Sequence, residues 1–159
     1  MHRLSGVAAL LGLGTAVVVH VATALGIDVC AQLPAVWLLH FGAILIFGAF
    51  VLSARTRQIK LANILDRLPA WVLALFGITV AYVVVNSFFS LHISGDGSAE
   101  KSGGQYVLMT HGRLLAYLTE KEFHTHRAAE LRFFSGGWLL FYAMPAIYFL
   151  MWQQDRGES

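Results

Sequence analysis

The placement of charge constrains this chain more than anything else in it. Lys, Arg, Asp and Glu are absent from 4–27, from 29–54, from 68–95 and from 133–154. A helix needs about 20 apolar residues to cross the ~30 Å hydrocarbon core of a bilayer, and each run is long enough. Four such runs fill more than half of the 159 residues and leave room for one small element outside a bilayer. The expected fold is an all-α membrane protein: a four-helix transmembrane bundle with helices at about 4–26, 33–54, 69–93 and 134–152. A small extracytoplasmic β-hairpin plus helix, at about 94–133, falls between helices three and four. The whole chain, 1–159, reads as one integral membrane domain.

Composition narrows the class further. A hydrophobic fraction of 57% against 13% charged residues fits a membrane protein and excludes a disordered one. No basic run or stripe supports nucleic-acid binding. Cys30 is the single cysteine, which rules out an internal disulfide and a cysteine-based zinc site. Met1 to Arg3 followed by an apolar stretch and Ala22-Thr23-Ala24 imitates a secretory signal, but the charge-free run is long for a signal core. An uncleaved first helix is expected.

Orientation follows from the basic residues. Arg55, Arg57, Lys60 and Arg67 stand against Asp66 alone, whereas 94–132 carries five bases and five acids. The positive-inside rule then puts 55–67 and both termini in the cytoplasm of a bacterial-type inner membrane. Trp37, Trp71, Trp138 and Trp152 are expected near helix ends, where an indole N–H stays wet. Leu61, Leu65 and Leu68 have helical spacing and suggest a short amphipathic helix on the inner leaflet.

In the expected outer element, SGDGSAEKSGG (94–104) reads as a flexible linker. Two apolar runs around His111–Gly112 read as a two-stranded hairpin. Thr119 with Glu122 three residues on makes a capping box that starts a helix at Glu120. Ser135, Gly136 and Gly137 suggest a bend before the fourth span, with a single continuous long helix as the alternative, and Pro145 a kink within it. The small residues of the first span, Gly6, Ala9, Gly12 and Ala16 among them, suit close helix packing in lipid.

Histidine is the main chemical signal. Six of seven fall on the expected outer side. His20 and His40 sit at similar depth on antiparallel helices, so one imidazole from each could ligate a b-type haem. Tyr82, Asn86 and Ser90, four apart, form a polar intramembrane stripe that with these histidines could line a quinone-sized pocket. His111, His126 and Glu122 are candidate metal ligands of the outer face, although no His-Glu-x-x-His pattern is present. His124 and His126 point too far apart on a helix to chelate one ion. No phosphate loop, nucleophile elbow or kinase signature occurs, and no span holds a carboxylate or amine for ion coupling.

The reading this favours is a non-enzymatic accessory or assembly subunit, acting on another membrane protein or on a second copy through exposed aromatics (Tyr106, Tyr117, Phe123, Phe133, Phe134). The first alternative is a membrane cytochrome b or quinone-site protein using His20 and His40. The second is an extracytoplasmic metal-dependent or metal-handling protein.

Overall fold

A computed structural model describes residues 2–59, 62, 64, 66, 68–95 and 97–151. Its elements are α1 (His2–Ala24), a short α2 (Val29–Gln32), a 3-10 turn (Pro34–Trp37), α3 (Leu38–Thr56), α4 (Ala70–Ser94), β1 (Ser98–Ser102), β2 (Gln105–Thr110), β3 (Arg113–Leu118) and α5 (Glu120–Met151). Among the described residues four helices are long and apolar enough to cross a membrane: Leu4–Ala24, Pro34–Thr56, Ala70–Ser94 and Glu120–Leu150. Lys60, Leu61, Leu65, Arg67, Trp152 and Arg156, on which the amphipathic segment and part of the charge pattern rest, lie outside the described residues.

The long helix α5 organises everything else. It packs against α1, α3, α4 and the sheet, while α1 and α4 scarcely touch one another. Its contact with α1 depends on small residues. Ala9 and Ala16 are fully buried. A Cβ on Gly12 would stand 2.2 Å from the Tyr142 ring, and one on Gly6 would stand 2.8 Å from Leu150. Gly6, Ala9, Gly12 and Ala16 therefore form one face that lets two backbones approach. Tyr142 reaches across to α3 as well, where its hydroxyl donates to the Leu39 carbonyl at 2.8 Å. Farther along, Tyr148 is fully buried, shares a 3.1 Å hydrogen bond with Ser53 and meets Phe50 edge-on.

Two expectations for the capping element are corrected. The sheet has three antiparallel strands in the order β1-β2-β3, and its first strand comes from the stretch read as a linker. Gly103 and Gly104, at φ +56° and +81°, close a two-residue turn that folds β1 back on β2. Positive φ at both central positions is what a type I′ hairpin turn requires. His111 and Gly112, at φ 46° and 77°, make the second turn, which is the expected one. The helix after Thr119 is also continuous with the fourth span, so Ser135, Gly136 and Gly137 cause no break. Ser135 is fully buried and a Cβ on Gly136 would meet Asn86, whereas Gly137 has open space beside it.

The capping box holds as expected. Thr119 N–H donates to Glu122 at 2.7 Å, and Glu122 N–H donates to the Thr119 hydroxyl at 3.3 Å. Phe123 is buried under the sheet with its ring 4.6 Å from that of Tyr106. These two aromatics form a small core between sheet and helix, not an outward surface. Trp138 is likewise no end anchor. It is 1% exposed and lies inside the bundle, its indole N–H satisfied by His40.

Candidate functional site: a polar network along the long helix

The residues around Ser135 make a connected set of hydrogen bonds. His20 Nδ1 lies 2.9 Å from Ser135 Oγ, and its Nε2 lies 2.7 Å from Tyr82 Oη. The Ser135 hydroxyl also donates to the Arg132 carbonyl at 3.2 Å. One tautomer satisfies all of these: Tyr82 O–H donates to Nε2, Nδ1–H donates to Ser135, and Ser135 donates to Arg132. Asn86 joins from α4. Its Oδ1 accepts from Arg132 Nε at 2.6 Å, and its Nδ2 donates back to the Arg132 carbonyl at 3.3 Å. The Arg132 guanidinium sits over the Phe89 ring at 5.5 Å.

Local sequence explains how these groups meet. Tyr82 and Asn86 share one face of α4 by their spacing of four. Gly136 opens the surface of α5 opposite them, since a Cβ there would come within 2.9 Å of Asn86 Nδ2 and 3.6 Å of the His20 ring. His20 is 4% and Asn86 2% exposed, so each polar group must find its partner inside the protein. Ser90, one turn beyond Asn86, is fully buried, and its hydroxyl has no partner among the described residues.

His40 stands elsewhere. Its Nδ1 accepts the Trp138 indole N–H at 2.9 Å, and its ring lies edge-on to Trp37 and Phe134. The two candidate haem ligands thus reach the same stretch of α5 with different partners. A metal on His20 Nε2 would have to displace the Tyr82 hydroxyl.

A second cluster lies nearer the sheet. Asp28 Oδ2 accepts from His124 Nδ1 at 2.8 Å and lies 3.5 Å from Arg127 Nε, while Oδ1 caps α2 by accepting from Ala31 N–H at 3.1 Å. This buried carboxylate ties the connection after α1 to α5. Cys30 follows in α2 and is 6% exposed. Burial pushes its thiol pKa up, against smaller opposing effects of the Arg127 and Trp37 side chains. A thiol so held is a poor nucleophile. The sequence named neither Asp28 as a hub nor its partners, because only the fold brings together residues so distant in the chain.

The candidate metal ligands do not gather. Glu122 is engaged in the capping box, and His111 forms the β2–β3 turn. His126 Nδ1 is buried without a hydrogen-bond partner among the described residues. No group of three His, Cys, Asp or Glu able to hold a metal occurs among the described residues. Glu130, one turn from His126, faces a cleft between the sheet and the helix ends that is also lined by Ser94, His111 and Phe133.

Fold and site together define a bundle of four candidate membrane spans, capped by a three-stranded sheet and holding a buried polar network centred on α5. Comparison with protein-family models, with curated proteins and with solved structures finds no match to this chain.

Proposed function

We propose that this is a multi-pass protein of a bacterial-type inner membrane, with both termini cytoplasmic, that serves as an accessory or assembly subunit through contact with another membrane protein. Four apolar helices support the membrane assignment, and the basic segment 55–67 supports the orientation. The sheet then stands on the outer face.

The observation that carries the reading is the open edge of β3. Leu114, Leu115 and Tyr117 are 46%, 50% and 66% exposed, and β3 pairs only with β2 among the described residues. A strand edge with free N–H and C=O groups and apolar side chains is a template for another strand. The Ser135, Asn86 and Arg132 part of the polar network, by contrast, is satisfied from within and supports an internal structural role.

The test places a photo-crosslinking amino acid at Leu115 or Tyr117 in cells. The reading expects one recurring protein adduct that co-purifies in mild detergent. Adducts to lipid alone, with the protein isolated as a lone monomer, would count against it.

A further inference from the structure

A groove of about 430 Å³ lies over α5 between α1 and α4. It exists because those two helices lean on α5 separately and scarcely meet. Leu13 and Val17 from α1, Leu75 and Thr79 from α4, and Ala143 and Ala146 from α5 line it. The Thr79 hydroxyl is spent on the Leu75 carbonyl at 2.8 Å, so the wall is apolar, and no charged side chain among the described residues lines it.

About one turn beyond its sheet-side end stands a polar pair. His20 follows the lining residue Val17 by three positions and Tyr82 follows the lining residue Thr79 by three, so each stands next above a lining residue of its helix. Their 2.7 Å hydrogen bond links α1 to α4 across the gap. Tyr82 is 42% exposed, so its hydroxyl sits on an accessible ring.

The geometry points to a binding site for a prenyl quinol, its tail along the groove and its ring at His20 and Tyr82. The volume lies in the range of small-molecule sites. The absence of charge on the wall selects a neutral occupant. The head must satisfy both members of the pair it reaches, since His20 Nδ1–H is committed to Ser135. A quinol hydroxyl does so: it accepts from Tyr82 O–H and donates to His20 Nε2, entering between the two without leaving either unpaired. A plain hydrocarbon chain gains nothing there. This site goes beyond the accessory reading and does not depend on which partner the sheet meets.

The test titrates the full chain in mild detergent with decylubiquinol under anaerobic conditions and reads the rise in Tm. A saturable rise is expected. Ala143→Phe, which fills the groove, should abolish it, and Val17→Phe, on the exposed wall, provides the same block should the first variant fail to fold. Tyr82→Phe keeps the ring and should weaken binding roughly twofold to tenfold, the worth of one hydrogen bond. No saturable rise overturns the proposal, as does a rise untouched by both groove-filling variants. Equal stabilisation by oleate, with no effect of Tyr82→Phe, would reduce the groove to a site for any apolar chain and also overturn it.

Discussion

Asp28 and His124, 96 positions apart, meet at 2.8 Å between a carboxylate that is 5% exposed and an imidazole that is 40% exposed. With Arg127 at 3.5 Å from the same oxygen, this contact fastens the turn between the first two candidate spans to the start of the fourth. Because the same carboxylate also caps α2, one side chain holds both the local turn and its long-range anchor.

Asp28→Ala should therefore cost about 1–3 kcal/mol of stability, the range for a buried acceptor whose partners are part-exposed and can recover water. Thermal unfolding in detergent measures it. Cys30 offers an independent readout. Its buried, protonated thiol should react slowly with a maleimide in the native protein and faster in the variant, as α2 loosens.

Gly12 and Tyr142 should behave as a coupled pair. Gly12→Ala places a methyl group within the Tyr142 ring and should destabilise by about 1–3 kcal/mol. Tyr142→Leu alone loses ring packing and the hydrogen bond to Leu39. The double variant should cost less than the sum, by about 0.5–3 kcal/mol of coupling, because the smaller side chain vacates the space the methyl needs. Strict additivity in a double-mutant cycle would show that the ring is not what Gly12 accommodates.

The capping box of Thr119 and Glu122 should hold the start of α5. Thr119→Val removes the hydroxyl that receives the Glu122 N–H and should lower Tm in detergent, as loss of an N-cap does. An unchanged Tm would show that packing of Phe123 under the sheet, not the cap, holds this helix end.

Much of the fold was legible because exclusion of charge is a strong signal: three candidate spans occupy charge-free runs almost end to end. The fourth run understates its helix. Glu, Lys and Arg between Glu120 and Arg132 interrupt hydropathy without interrupting a helix, since they are good helix formers. β1 was hidden for the opposite reason. Ser98–Ser102 offers Ala99 as its only apolar residue, and its place in the sheet is set by the two positive-φ glycines that turn it onto β2. At the candidate site, the spacing of Tyr82 and Asn86 declared their common face. Their connection to His20, Ser135 and Arg132 depends on which helices pack together, and no spacing within one helix encodes that. His20 and His40 illustrate the limit, because similar depth along the chain did not determine which partner each imidazole would meet.

The central place of α5 has a consequence for biogenesis. Chains emerge from the ribosome N-terminus first, and early segments fold as they become available. Here α1, α3 and α4 are made before the one helix against which all three pack. Until α5 arrives, the small-residue face of α1, the carbonyl of Leu39 and the amide of Asn86 all lack their final partners. The bundle closes in a late step, and the polar residues of α5 are placed to lock three waiting helices at once.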